Sequence, residues 1–375
     1  MPTLQLQPIA ICPGGHGGEV FSCAYTPDGA FVLSGGWDGY LRLWEASSGR
    51  QVTAFAAGNK PVSACAVSPD SSQWLSGSLD GMLAVWDALT QQRTSFFLAH
   101  TRPISTIVFD ADGQTLATSS WDRSLALWKA GREREGRQLT GHDDIVAGCR
   151  FTPDGRTLLS WSHDGTLRLW DTASARQSGQ FPGHEHRVTA GAISPDGRWA
   201  VSAARDGGVR VWDLLEQREA GSSSLGQEVR ACFFLLDAES LVTIEATGRV
   251  AVHSVPSLQE KTEVHVRLPV QCGTLAPHGC QIAIGCDDGK VRFLTVSGLD
   301  GSALVITPTR RSQRTTTVLG RLLGKTRVCH RYSCMCPGCR QSFDLPEAIP
   351  GKAQTCPNCR RPLRLSPATR VAPEK

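Results

Sequence analysis

The sequence predicts an all-β chain, a seven-bladed propeller followed by a small metal-stapled unit at its C-terminal end. Three observations carry this expectation. A turn-and-strand device recurs seven times, most completely as His163-Asp164-Gly165-Thr166-Leu167-Arg168-Leu169-Trp170-Asp171. The first turn residues stand at 38, 80, 122, 164, 206, 247 and 288, a step of 41 or 42 residues, which is the period of propeller blades. Four cysteines, outside the repeats, form two Cys-x-x-Cys pairs at metal-ligand spacing.

Each repeat reads as four short strands. The first ends in a Pro-Asp-Gly turn, as at Thr26-Pro27-Asp28-Gly29, Thr152-Pro153-Asp154-Gly155 and Ser194-Pro195-Asp196-Gly197. Proline presets φ and glycine supplies a permissive backbone. Variants stand at Ser68-Pro69-Asp70-Ser71, Asp110-Ala111-Asp112-Gly113 and Ala276-Pro277-His278-Gly279. The second strand ends in a small hydroxylic residue four before the turn Asp: Ser34, Ser76, Thr118, Ser160 and Ser202. The third alternates and closes on a Trp in five repeats, at 44, 86, 128, 170 and 212. The last two copies are worn: Thr247-Gly248 leads to His253, and Asp288-Gly289 to Leu294. Two segments compete for the outer strand that closes the ring, residues 3–12 and residues 302–307.

These residues resemble the WD40 repeat family over about residues 1–308. The resemblance implies a seven-bladed WD40 β-propeller, in which a His 22 residues before the turn Asp joins it, the hydroxylic residue and the Trp. Four complete sets are present: His16/Ser34/Asp38/Trp44, His100/Thr118/Asp122/Trp128, His142/Ser160/Asp164/Trp170 and His184/Ser202/Asp206/Trp212. Such a set is physically reasonable, because a buried Asp needs its lone pairs satisfied and an indole N–H needs an acceptor. Repeat two has Gly58 in place of the His, and repeats six and seven have Leu225 and Val266. Blades six and seven are therefore expected to be a softer sector held by apolar packing. Repeated Ser, His and Asp also suggest a hydrolase triad. Recurrence at one spacing argues for structure instead, and no Gly-x-Ser-x-Gly elbow or phosphate-binding glycine loop accompanies them.

The resemblance also places the residue before each turn Asp on one rim, where partners bind. Here these are Trp37, Leu79, Trp121, His163 and Arg205, a set rich in hot-spot types unless the tryptophans pack inward. Trp161 belongs to that patch or to the core, whereas Trp74 and Trp199 read as packing residues.

Charge is unevenly spread. Residues 309–375 carry fourteen Lys/Arg against three Asp/Glu, within a chain of net charge +4. The stretch 309–327 is polar and cationic and reads as a linker. Residues 328–375 follow as a separate unit. Within it Cys336, Cys339, Cys356 and Cys359 can converge on one tetrahedral ion, and the stretch resembles a zinc ribbon binding structural Zn2+. An iron site uses similar spacing but wants a more apolar wrapping. Cys329 and Cys334 read as free thiols beside the site. Arg340, Arg360, Arg361 and Arg364 are candidates for phosphate contacts with nucleic acid, or for docking on an acidic protein surface.

No apolar run approaches the roughly 18 residues that span a bilayer, and no apolar leader is evident. Cysteines at metal spacing in a long, well-cored chain point to a reducing, cytoplasmic setting. The expected function is a non-enzymatic protein-interaction scaffold without a small-molecule substrate. A nucleic-acid-associated protein is the alternative, and an enzyme a distant third.

Overall fold

The computed structural model describes residues 5–297 apart from positions 13, 278 and 280. Beyond Ser297 it describes only the backbone of short strands between Leu304 and Val371. The four metal-candidate cysteines, Arg340, Arg360, Arg361 and the side chain of Arg364 lie outside the described residues, as does most of the expected linker.

Seven four-stranded antiparallel sheets follow one another around a ring. Blade four is representative, with strands Val146–Phe151, Thr157–Ser162, Leu167–Asp171 and Arg176–Phe181 from the innermost outward. The turn between its second and third strands passes through Gly165 at φ +82°, where an added Cβ would stand 2.5 Å from the His184 carbonyl oxygen. Glycine is needed here both for backbone conformation and for clearance.

The seventh blade settles the question of closure. Its strands Val270–Leu275, Gln281–Cys286 and Val291–Ser297 are completed by Gln5–Ile11 from the other end of the chain. Gln5 pairs with Ser297 and Ile11 with Arg292. The N-terminal segment thus takes the outer position, and residues 302–307 do not. Pairing the two ends of the repeat array leaves no unpaired neighbour within the last blade.

Every innermost strand begins with a β-branched residue: Val20, Val62, Ile104, Val146, Val188, Val229 and Val270. All seven are at most 1 % exposed, and a register shift follows each one. The residue at the shift can reach sideways. Ser63 Oγ donates to the Ile104 carbonyl of the next blade (2.7 Å), and Thr189 Oγ1 to that of Val229 (2.8 Å).

The core lies between blades. Between three and four it combines Val108, Leu125, Leu127 and Leu139 with Val146, Leu158 and Trp170. Trp161 lies in the next core, between blades four and five, 5 % exposed, and not on the rim patch. Its indole stands over Gly148 and Gly191, where added Cβ atoms would fall 2.3 and 2.5 Å from ring carbons. Trp74 is buried and Trp199 is half-buried.

Candidate functional site

In blade four, Trp170 Nε1 donates to Ser160 Oγ (2.8 Å), and Ser160 Oγ lies 2.8 Å from His142 Nε2. His142 Nδ1 lies 2.7 Å from Asp164. The carboxylate can only accept, so Nδ1 carries a proton facing it; in the neutral imidazole Nε2 then accepts from Ser160 Oγ, whose oxygen in turn accepts from the indole. The four residues form a chain of bonds, in which the Trp reaches the His through the hydroxyl. Blades one and three repeat it. His16 stands 2.8 Å from both Asp38 and Ser34, and Trp44 donates to Ser34 at 2.8 Å. His100 stands 3.0 Å from Asp122 and 2.7 Å from Thr118, and Trp128 donates to Thr118 at 3.0 Å.

Each of these carboxylates has further anchors. Asp38 accepts from the Gly17 amide and Arg42, Asp122 from Thr101 N and Ser124 Oγ, and Asp164 from Asp143 N and Thr166 Oγ1. Burial acts to raise the Asp38 pKa, but His16, Gly17 and Arg42 outweigh it and hold the carboxyl at about 2. The same balance holds Asp122 and Asp164 well below the usual carboxylate range. Burial lowers the pKa of His16 against the pull of Asp38. These groups are saturated by structural bonds, which leaves no nucleophile or free base in them.

The fourth set, in blade five, is not brought together in full. His184 Nε2 and Trp212 Nε1 both meet Ser202 Oγ, at 2.7 and 2.8 Å. Asp206 swings away, with 46 % of its side chain exposed, and stands 3.8 Å from His186. The reason is local. Where blades three and four have Ser124 and Thr166 to hold the carboxylate, blade five has Gly208. Arg210, the counterpart of Arg42, is committed to Glu219 at 2.5 Å. A cavity of about 320 Å³ opens between His184 and Asp206. Burial and then Arg210 push the His184 pKa down to about 4.

Blade six replaces the set in a way that sequence reasoning missed. His253 takes the Trp position and its Nε2 meets Thr243 Oγ1 at 3.0 Å, buried. Arg249 binds buried Glu245 (2.7 Å), Glu263 (2.5 Å) and Glu260. The Arg–Glu spacing across adjacent strands was the available signal. Apolar packing between blades six and seven is also present, through Val242, Ile244, Val250, Ile282, Ile284 and Leu294.

The rim residues share one backbone contact. Trp37 N donates to Glu19 O, Leu79 N to Pro61 O, Trp121 N to Pro103 O, His163 N to Ile145 O and Arg205 N to Arg187 O, all at 2.9–3.1 Å. Ala246 and Asp287 make the equivalent bonds in blades six and seven. One contact in seven blades puts these residues on one rim. Trp37 is 55 % exposed, edge-on to Phe21 with centroids 6.0 Å apart, and Trp121 is 48 % exposed. Leu79 and His163 are half-buried, and Arg205 is exposed. Burial, then Arg187, lowers the His163 pKa.

Seven radial antiparallel sheets, a repeated Trp–Ser/Thr–His–Asp bond chain and an exposed loop rim define a repeat β-propeller. Five segments match the WD40 family, described as WD domain, G-beta repeat, at residues 6–45, 49–87, 91–129, 134–171 and 175–213. Together they cover just over half of the chain, and the protein belongs to this family. The matched segments each run from an outer strand into the three inner strands of the next blade, and stop before the two worn blades. No curated protein matches the chain. Among the described residues no helix is long and apolar enough to cross a membrane.

Proposed function

We propose that the protein is a non-enzymatic interaction scaffold whose Trp37–Trp121 rim holds a protein partner. The observation that carries this reading is the pair of half-exposed indoles at equivalent positions of the ring. Large aromatic side chains left in water, on a rim that also carries an exposed Arg, are the usual composition of an interface centre. Leu79 lies between them in blade order and completes an apolar arc. The family is generally one of protein-interaction scaffolds, which agrees with this reading.

The C-terminal cysteines are proposed to bind structural Zn2+ through Cys336, Cys339, Cys356 and Cys359, on the strength of their spacing alone. The cationic segment around them would then add a second, weaker contact to the same assembly, raising its effective concentration. A cytoplasmic setting suits free thiols at this density.

The test is capture of partners by the full chain from nuclease-treated native extract, beside a Trp37→Ala/Trp121→Ala variant. A specific partner lost from the variant, with ring melting unchanged, supports the reading. Equal retention by the variant refutes it. Binding that disappears with nuclease and falls steeply with salt would instead favour phosphate contacts through Arg340, Arg360, Arg361 and Arg364. Cys356→Ser should release bound zinc, measured by elemental analysis, without altering ring melting.

A further inference from the structure

Seven cysteines among the described residues are free. Two of them meet at the seam where the ring closes. Cys23 lies on the innermost strand of blade one, Val20–Tyr25, and Cys272 on that of blade seven, Val270–Leu275. Their sulfur atoms are 3.7 Å apart. The Cys272 thiol also stands 3.4 Å from the Val20 carbonyl oxygen. Room for it comes from Gly285, where a Cβ would fall 2.6 Å from that sulfur. Both residues keep part of their surface exposed on innermost strands, the ones that line the central channel, while their thiols meet at the seam between the two blades. The neighbouring thiols are otherwise placed. Cys65 is buried and bonded to Ser22 and the Leu33 carbonyl, and Cys286 is fully buried.

We propose that Cys23 and Cys272 are a latent disulfide site that clasps blade one to blade seven. The reaction uses a peroxide as oxidant. One thiol ionises and attacks a peroxide oxygen as thiolate; the O–O bond breaks, and the hydroxide that leaves takes up the proton the thiol shed, giving a sulfenic acid and one water. The second sulfur displaces hydroxide from that sulfenic acid, and a second water leaves. Overall two thiols and one peroxide yield one disulfide and two waters, with both sulfurs oxidised and the peroxide oxygens reduced. The sulfurs must approach by about 1.7 Å to reach bonding distance, a movement within the range of side-chain rotation.

The site has a mechanical consequence. The ring is otherwise closed by pairing of Gln5–Ile11 with Val291–Ser297, without a covalent bond. A disulfide spanning residues 23 to 272 would tie the two ends of the array directly. The bond between the two thiols, and then burial, push the Cys23 pKa well above the usual thiol range.

The experiment exposes the native full chain to hydrogen peroxide, blocks remaining thiols by alkylation and maps the digest without reduction by mass spectrometry. The expected result is a peptide pair linked through Cys23 and Cys272, with a reversible rise in ring melting temperature of about 2 °C or more. Cys272→Ser should lose both the link and the rise. Cys23→Ala provides the same test if the first variant does not fold. Recovery of both cysteines as alkylated thiols after treatment overturns the proposal. So does a link that forms only in denaturant, or a melting rise that persists in either variant.

Discussion

Replacing Asp110 with Thr should stabilise the ring, and more so at neutral than at acid pH. Asp110 begins the turn between the first two strands of blade three. In four other blades that position is Thr26, Ser68, Thr152 or Ser194, whose hydroxyl donates to the Asp two residues later at 2.5–2.7 Å. Asp110 is 8 % exposed and has Asp112 as that neighbour, so only its protonated form can supply the same hydrogen bond. Burial, together with Asp112, pushes its carboxyl up to about 6 from 3.8, against the Thr115 amide that favours charge. The native pKa lies above the unfolded one, so the folded chain holds the extra proton between the two values. Stability from this group is full below about pH 4, falls as pH rises, and levels off above about 6. A shift of that size costs under about 1 kcal/mol at pH 4 and about 3 kcal/mol at pH 7.5. The variant should therefore gain on the parent by about 2 kcal/mol between those two pH values. Urea denaturation of both proteins at pH 4 and pH 7.5 measures the difference directly. A variant that is less stable at pH 7.5, or whose advantage is the same at both pH values, would refute the reasoning.

Other outcomes follow from the same structure. Trp170→Ala removes a buried indole and leaves Ser160 without its donor, at an expected cost of about 3–5 kcal/mol; a loss under about 1 kcal/mol would contradict the packing described. Gly208→Thr offers Asp206 the hydroxyl that Thr166 gives Asp164, and should stabilise blade five by about 1 kcal/mol. The His184 titration, followed by NMR, should then move upward as the carboxylate returns. Gly191→Leu cannot coexist with Trp161 in its present position, and should lower the melting temperature and change indole fluorescence, whereas Trp37→Ala should leave melting nearly unchanged. Acid should loosen the sectors of blades one, three and four. Asp38, Asp122 and Asp164 have native pKa values below the unfolded one, so their stabilisation is complete above about pH 4 and lost as pH falls further. Protection factors, corrected for the intrinsic pH dependence of amide exchange, that do not fall there between pH 5 and pH 2.5 would count against these bonds.

Periodicity determined the architecture from the sequence alone. A turn, a hydroxyl, an alternating strand and a Trp at a step of 41 or 42 residues can be satisfied by four-stranded blades and little else. His16, His100 and His142 recur with that period, and the family resemblance supplied their role, joining partners 18 and 22 residues away within one repeat. Tertiary structure decided whatever depended on contacts outside the repeat. Ring closure pairs Gln5 with Ser297, and either candidate segment had enough β-forming residues to serve. Asp206 satisfies the motif yet leaves it, because Glu219 on the next strand takes Arg210 and Gly208 offers no hydroxyl. Trp161 could not be assigned from its own neighbours in sequence, for the space it fills is made by Gly148 on one blade and Gly191 on the next. Local bonds repeat with the sequence and can be read there. Packing between blades depends on volumes contributed by separate repeats, and only the folded ring brings those volumes together.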